Sequence, residues 1–408
     1  MPAFLRLLAA IIAFGSVFAP SIAQKPVITI GCPMALSGPL AIEGKLTKEG
    51  YDFWSNYVNA TGGLQVGSTK YQVEIHYADD GSDPHKSAQL LEDMIVKDQV
   101  DFILGPYGSA ANFAAAAVAE RHHVPMVISS GAADRIYNQG YHYIFSVMSP
   151  ASKYLTGVIE LAVRRTPRPL SVAISSAADR FSLAVQQGAA ESANDHGFRV
   201  YSYRYTDAPG AVADVVTKIK ADNPDIVLNA GHLNDALDMQ RSLKDQHVNA
   251  KIYGYTVGPD LPAFRQRLGR DAEGVLGSSQ WSSAVTYSGE AGFYRRAGDY
   301  AAAFVRDFGH APDYHNAEAT ASGLAFQYAL QAAGTLDRSA VRDALAHLNV
   351  QTFFGVLKFD ARGVNIYKPM VVNQIQGANL VTIYPYRLAN AQPIYPAPAW
   401  NGAATAQH

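Results

Sequence analysis

A regular alternation of short apolar runs with longer amphipathic segments constrains the fold of this chain most strongly. Runs of about four to eight residues rich in Val and Ile are typical of buried strands, whereas apolar residues spaced three and four apart indicate helices. Alternating strands and helices predict a parallel sheet with helices on both faces. The first series has strand patterns at 27–31, 71–77, 100–104 and 125–129, with helix patterns at 47–60, 84–98 and 110–121.

A second series of the same kind begins after residue 150. Because the chain has 408 residues and a domain takes roughly 100–200, the two series predict two similar α/β halves. Later segments predict three more helices, at 290–308, 316–333 and 341–347. Strand patterns of the second series lie at 171–175, 198–205, 225–229 and 251–255, with helices at 153–165, 183–196, 211–221 and 234–246.

The charge balance argues against two classes of partner. The chain carries 33 basic and 35 acidic residues, for a net charge of -2, without a cluster of either sign. Nucleic-acid binding and polybasic membrane docking both rely on concentrated positive charge. We therefore expect neither kind of partner.

Residues 1–23 have the pattern of a secretory signal peptide. Arg6 is their only charged residue, residues 7–18 are nearly all apolar, and Ser-Ile-Ala at 21–23 is a small-x-small cleavage site. This pattern predicts cleavage after Ala23 and export of a soluble protein.

Cys32 is the only cysteine, so an internal disulfide is excluded. It ends a short strand pattern, which favours a buried thiol. Lipidation and catalysis by this cysteine are the weaker alternatives.

Four loops follow predicted strands and should lie at one edge of each sheet: 105–110 and 129–134 in the first half, 229–234 and 254–260 in the second. Ligands of open α/β sheets bind outside the carboxyl ends of the strands. A ligand that touched all four loops would therefore lie between the two halves.

Small residues dominate the first two of these loops. Ser109 follows Gly105-Pro-Tyr-Gly and opens a helix, whose first N–H groups and positive dipole end could bind a carboxylate or phosphate. Ser130 and Ala132 lie in a similar turn after the next strand. The two turns together predict an anion site, with simple strand-to-helix turns as the alternative.

Aromatic and polar residues occupy the corresponding positions of the second half. His232 could donate a hydrogen bond, and capping is its alternative role. Phe181, Tyr107 and Tyr255 could form walls of an apolar cleft, with core packing as the alternative.

Common catalytic and metal-binding motifs are absent from the sequence. The sequence has no Gly-x-Ser-x-Gly, His-Glu-x-x-His, Walker or Gly-x-Gly-x-x-Gly motif. The segment 314–318 has one His and one Glu at helical spacing but no second histidine nearby. We expect neither an enzyme nor a metal or other cofactor.

Five motifs occur in a fixed order along the chain. They are Ala-Leu-Ser-Gly-Pro at 35–39, Asn-Ala-Thr-Gly-Gly-Leu at 59–64, Asp-Asp-Gly-Ser-Asp-Pro at 79–84, Gly-Pro-Tyr-Gly-Ser at 105–109 and Phe-Gly-Val-Leu-Lys-Phe-Asp-Ala-Arg-Gly at 354–363. Through these motifs the chain resembles type I periplasmic solute-binding proteins of ABC transporters, the branch named for leucine, isoleucine and valine binding.

This resemblance implies two Rossmann-like lobes joined by three crossovers, near 145–148, 277–280 and 357–360. The first lobe would comprise 24–147 and 279–357, the second 148–278 and 358–388, with a loosely held tail at 389–408. It also implies a periplasmic monomer that closes by a hinge around its solute and then docks on a membrane permease.

The resemblance also assigns site residues. Ser109, with the backbone at Ser130 and Ala132, matches a carboxylate-binding set. Phe181 matches an aromatic wall, and His232 a position often held by tyrosine.

Thr256 stands where amino-acid binders carry an acidic partner for the ligand ammonium, and a buried ammonium needs such a partner. We therefore predict a small carboxylate solute, such as a benzoate-like or phenylpropenoid acid. The alternatives are a branched-chain or other amino acid or amide held by Glu43, a subunit that senses its ligand for a signalling partner, and an exported hydrolase.

Overall fold

Two separate sheets form the framework of the computed structural model, which describes residues 26–289, 293–377 and 379–400. The predicted signal peptide lies outside these residues. The first sheet has the order β2-β3-β1-β4-β5-β6, and all its pairings are parallel except β2 with β3. Its strands are β1 (Val27–Met34), β2 (Leu64–Val66), β3 (Thr69–Asp79), β4 (Phe102–Leu104), β5 (Met126–Ile128) and β6 (Ile144–Ser146).

The second sheet is built mainly from the second series of strands. These are β7 (Ser171–Ala177), β8 (Arg199–Tyr205), β9 (Ile226–Ala230), β10 (Ile252–Tyr255) and β11 (Leu276–Ser279). Strands β12 (Asn349–Thr352) and β13 (Gly355–Lys358) form a separate hairpin. Strands β14 (Val371–Gln376) and β15 (Asn379–Tyr384) then complete the second sheet. The order is β15-β14-β11-β10-β9-β7-β8. Strand β14 pairs antiparallel with both β11 and β15, whereas the other pairings of this sheet are parallel.

Helices cover both sheets, as the alternating pattern predicts. They are α1 (Ala41–Ala60), α2 (Pro84–Val96), α3 (Ser109–Arg121), α4 (Thr156–Val163), α5 (Arg180–Asp195), α6 (Ala211–Asp222), α7 (Leu233–Asp245), α8 (Pro262–Leu268), α9 (Ala297–Phe308), α10 (Tyr314–Ala333) and α11 (Arg338–Ala346). In the described part of the chain, we find no helix with the length and apolar character needed to span a membrane.

The first lobe is discontinuous in sequence because α10 returns to pack against α1. Close approach of the two helices depends on small residues: a Cβ at Gly323 would lie 2.1 Å from the ring of Trp54, and one at Gly50 would lie 2.2 Å from a carbonyl oxygen of α10. Thr320 Oγ1 also donates to the Gly50 carbonyl, at 2.8 Å. This packing brings residues near 318 to the carboxyl ends of β4 and β5.

The chain passes between the lobes three times, after β6, after β11 and before β14. The third passage lies later than the predicted 357–360. Val364 still pairs with Ser146 at the edge of the first sheet, and Asn365 N donates to the Ser146 carbonyl at 3.1 Å. The third crossover therefore occupies 366–370, between these contacts and the start of β14. The segment 357–360 is not the crossover, because β13 pairs only with β12 and does not enter the second sheet.

A hydrogen-bonded cluster joins the three crossovers. Gln280 accepts from Ser149 N and donates to the Ser149 carbonyl, both at 3.0 Å. Lys368 Nζ donates to the Gln280 carbonyl and, at 3.1 Å, to its Oε1. Burial lowers the pKa of Lys368 to about 7, although nearby Glu318 favours the charged form.

The described part of the predicted loose tail, residues 389–400, is held against the protein, and residues 401–408 lie outside the described residues. Residues 389–400 pack on the second lobe, where Ala397 N donates to the Lys251 carbonyl at 2.9 Å and Trp400 Nε1 donates to the Val248 carbonyl at 2.6 Å. The Trp400 ring lies 5.5 Å from that of Tyr253. The ring contact and the hydrogen bond of Trp400 hold this Pro-rich segment against the second lobe.

Gly323→Ala should destabilise the protein, because the added methyl group would overlap Trp54. Overpacking of this kind costs about 1–3 kcal/mol, measurable as a lower free energy of unfolding in urea. Gly298→Ala is the matched control, since a Cβ at this exposed position of α9 has no neighbour within 4 Å. Equal stabilities of the two variants would contradict the tight packing of α1 on α10.

Candidate functional site

A narrow cavity of about 20 Å³ lies where the carboxyl ends of both sheets face each other. That volume is room for one or two waters. Strand-end loops of both lobes and the start of α10 contribute to its walls. The lining residues are Tyr107, Gly108, Ser109, Ser130, Ala132, Met148, Tyr154, Phe181, His232, Val257, Tyr314, His315 and Glu318.

The N-terminus of α3 forms one polar wall. Gly108 precedes the helix with φ of 92°, a conformation that favours glycine. Ser109 Oγ accepts a hydrogen bond from Ala133 N at 3.1 Å, so its hydroxyl proton is available to a ligand. Because the first N–H groups of a helix have no intrahelical partner, this wall can hold a negative group without a cation.

Asn112 fixes this wall in place. Its side-chain amide donates to the carbonyls of Pro106, Gly108 and Ser130, at 2.7, 2.9 and 3.2 Å. One buried side chain therefore ties together the loops that follow β4 and β5. The N-terminus of α3 and the Ser130 turn are positioned as a unit.

Ser130 and Ala132 line the cavity beside Ser109, but the Ser130 side chain faces another polar group. Its hydroxyl donates to Glu318 Oε1 at 3.1 Å and lies 3.2 Å from the hydroxyl groups of both Thr47 and Ser129. Ala132 contributes a small, buried side chain.

Glu318 is the acidic side chain of the cavity, and it is not among the site residues predicted from the sequence. The other lining residues outside that prediction are Gly108, Met148, Tyr154, Val257, Tyr314 and His315. The Glu318 side chain is fully buried, and its Oε2 has no hydrogen-bond partner among the described residues. Burial raises the pKa of Glu318 well above its ordinary value, against the effects of the Ser130 hydrogen bond and of nearby Lys368. The site therefore contains a carboxyl group that favours its protonated form.

A signal for Glu318 was present in the sequence. His315 and Glu318 are polar residues spaced for one face of an otherwise Ala-rich helix, although without a second histidine this spacing does not indicate a metal site. Both side chains reach the cavity because α10 packs on α1.

Aromatic side chains form most of the remaining wall. The ring of Phe181 lies 5.1 Å from that of Tyr154 and 5.6 Å from that of His232. Tyr107 lies between the two histidines, 5.9 Å from the ring of His232 and 5.6 Å from that of His315. The cavity therefore combines aromatic faces with a few buried polar atoms, as small-molecule sites do.

Two polar contacts join the lobes at this site. The Tyr107 hydroxyl lies 3.3 Å from His232 Nδ1. Glu43, on α1, accepts a hydrogen bond from Leu233 N, at the N-terminus of α7, at 3.2 Å. The buried Glu43 carboxylate is therefore engaged across the cleft and does not line the cavity.

The remaining two predicted site residues also lie outside the cavity. Tyr255 packs its ring 5.8 Å from that of Phe264 and donates its hydroxyl to Gln240 within the second lobe. Thr256 Oγ1 donates to the Gly231 carbonyl at 2.7 Å and accepts from its N–H at 3.0 Å. Val257, from the same loop, provides the lining side chain instead.

Comparisons with known proteins agree on one family. A family profile described as "Periplasmic binding protein" matches residues 27–379. The Leu/Ile/Val-binding protein homolog 7 of Brucella suis biovar 1 is 22% identical over 372 residues, which cover 88% of this chain and 91% of that protein.

Solved structures of similar fold include binders of different solutes. A leucine-binding protein of Thermotoga maritima superposes with a TM-score of 0.78 at 18% identity, covering 88% of this chain and 98% of that one. An ABC-transporter solute-binding protein of R. palustris, solved with benzoate, has a TM-score of 0.74 at 15% identity and covers 91% and 98%.

Glu318→Gln should change how stability depends on pH. The folded wild type retains the Glu318 proton above the ordinary pKa of 4.5, where the unfolded chain loses it. The contribution of Glu318 to the wild-type free energy of unfolding therefore decreases as the pH rises above 4.5, and the variant has no such contribution. The free energy of unfolding of the variant relative to wild type, measured in urea, should rise between about pH 5 and 7.

The exposed Glu191 provides the control, because Glu191→Gln removes a carboxylate without changing the cavity. Its stability difference from wild type should stay constant over the same pH range. A constant difference for Glu318→Gln as well would contradict the raised pKa.

Proposed function

The chain belongs to the periplasmic binding protein family, and we propose that it is the solute-binding subunit of an ABC importer whose solute is a small aromatic carboxylate. Its relatives and structural neighbours include Leu/Ile/Val-binding protein homologues and a solute-binding protein of an ABC transporter, which supports a role in binding small molecules. The proposal adds the class of solute, a periplasmic location and a membrane permease as partner.

The observation that carries the proposal is the combination of an uncharged anion site with aromatic walls in one cavity. Ser109 and the first N–H groups of α3 can hold a carboxylate through hydrogen bonds and the helix dipole. The rings of Phe181 and Tyr154 would then face the aromatic part of the solute. The cavity lining contains no Lys or Arg, so the helix terminus would carry the recognition of the negative charge.

Glu318 is compatible with an acidic solute because its raised pKa favours the neutral carboxyl group. A neutral carboxyl group does not repel the carboxylate of the solute, and it can donate a hydrogen bond. An ionised Glu318 beside a bound anion would be unfavourable in a site of low dielectric constant.

An amino acid or amide is the second candidate, and the unpartnered Oε2 of Glu318 is the observation that favours it. An ammonium group would lower the pKa of this carboxyl group by direct charge pairing. Glu43, the acid that the sequence offers for that role, already accepts a hydrogen bond from Leu233 N. Glu318 is therefore the acid that an amino-acid solute would use.

Entry of either solute requires the lobes to separate, because the present cavity is too small for an aromatic ring. The Tyr107–His232 and Glu43–Leu233 contacts would break on opening and form again on closure. A solute that binds both lobes favours the closed form by its differential affinity. In the proposed cycle the monomeric closed form delivers the solute to the permease.

Ser109→Ala should weaken benzoate binding by about 1–3 kcal/mol, or roughly 5- to 150-fold in Kd, because it removes a hydrogen bond to a charged group. Isothermal titration calorimetry measures this loss. Ser87→Ala is the matched control, since Ser87 is a buried serine near the start of α2 and outside the cavity. Unchanged affinity of Ser109→Ala would exclude Ser109 from the site.

A thermal-shift panel tests the class of solute. Benzoate or cinnamate should raise the Tm of the wild type, because a ligand that binds only the folded state stabilises it. Leucine and phenylalanine at equal concentration should raise it less. Stabilisation by the amino acids alone would replace the first candidate with the second.

A further inference from the structure

Two buried polar atoms in the cavity are not used by the carboxylate site. Glu318 Oε2 and His315 Nε2 each lack a hydrogen-bond partner among the described residues, and both side chains line the cavity. His315 is 1% exposed and Glu318 is fully buried. Unpartnered buried polar atoms are rare in native proteins and call for a physical explanation. These two lie three residues apart on α10, so their side chains are neighbours on one face.

The hydrogen bonds of the remaining polar atoms of His315 and Glu318 indicate whether each unpartnered atom can act as a donor or as an acceptor. Asp313 Oδ1 lies 3.2 Å from His315 Nδ1 and also accepts from His315 N, at 2.7 Å. This contact favours a proton on Nδ1, and in the neutral form of the ring Nε2 is then an acceptor. Ser130 donates to Glu318 Oε1, and burial favours a proton on the carboxyl group, so Oε2 can donate.

A donor and an acceptor on the same face of α10 match a hydroxyl group, because a single hydroxyl oxygen can accept one hydrogen bond and donate another. A carboxylate offers only acceptors, and an ammonium group offers only donors. Neither would satisfy both atoms in these protonation states. The chemistry of the pair therefore differs from that of the Ser109 wall.

We propose that Glu318 and His315 form a second polar subsite that binds a hydroxyl group on the ring of the solute, so that hydroxylated aromatic acids bind more tightly than unsubstituted ones. This inference rests on the proposed function, since it adds a substituent to the proposed aromatic acid. The hydroxyl would donate to His315 Nε2 and accept from Glu318 Oε2.

The test compares benzoate with 3-hydroxybenzoate and 4-hydroxybenzoate by isothermal titration calorimetry of the full-length mature protein. At least one of the hydroxylated acids should bind wild type on the order of 10-fold more tightly than benzoate, as expected for added buried hydrogen bonds. In Glu318→Leu the ratio of the two Kd values should fall to about one, whereas benzoate should still bind.

Two further variants keep the test independent of a folding defect in Glu318→Leu. His315→Phe removes the acceptor but retains a ring to stack on Tyr314, whose ring lies 4.0 Å away, and it should also reduce the ratio. Glu318→Gln retains a donor and should preserve part of the preference. Asp260→Asn is the matched control, because Asp260 is a buried acid with an unpartnered oxygen outside the cavity lining, and it should leave the ratio unchanged.

The outcomes separate this inference from the proposed function. Equal binding of benzoate and both hydroxylated acids to wild type would overturn the subsite and leave the aromatic-acid proposal intact. A hydroxyl preference that survives in both Glu318→Leu and His315→Phe would also overturn the subsite. Binding of leucine, but of no aromatic acid, with loss of that binding in Glu318→Leu would overturn both proposals and assign Glu318 to an ammonium group.

Discussion

Parallel strand pairing is the constraint on which the rest of the structure depends. Because neighbouring strands run in the same direction, the loops after β4 and β5 emerge at the same edge of the first sheet, and the loops of the second sheet emerge at its corresponding edge. The three crossovers orient these two edges toward each other. The cavity, the helix terminus in its wall and its aromatic walls all follow from this placement, because their residues come from strand-end loops and from the start of α10.

Much of the fold could be predicted from the sequence because its signals are local. Val- and Ile-rich runs mark β1 and β9, and small residues after β4 and β5 mark turns that expose backbone N–H groups. Local signals also led to Ser109, Ser130, Phe181 and His232, all of which line the cavity. The family resemblance added the two-lobed arrangement, with which the comparisons agree.

The remaining features depend on contacts that no local pattern contains. Glu318 meets Ser130 across 188 positions of sequence, and it does so only because α10 returns to the first lobe and packs closely on α1. Tyr255 is the last residue of β10 and Val257 lies in the turn that follows it, and this turn directs the valine, not the tyrosine, toward the cavity. Side-chain direction at a strand end is set by the backbone path of the turn, which composition does not determine.

The contact between Glu43 and Leu233 bears on how the two lobes are held together. The N-terminus of a helix leaves donor groups to be satisfied by whatever lies nearby, and here α1 of the opposite lobe provides the carboxylate for α7. Bringing the lobes together is thus in part a capping interaction between them. Separating the lobes would return both the Leu233 N–H and the Glu43 carboxyl group to water, so this contact adds to the stability of the closed arrangement independently of the cavity residues.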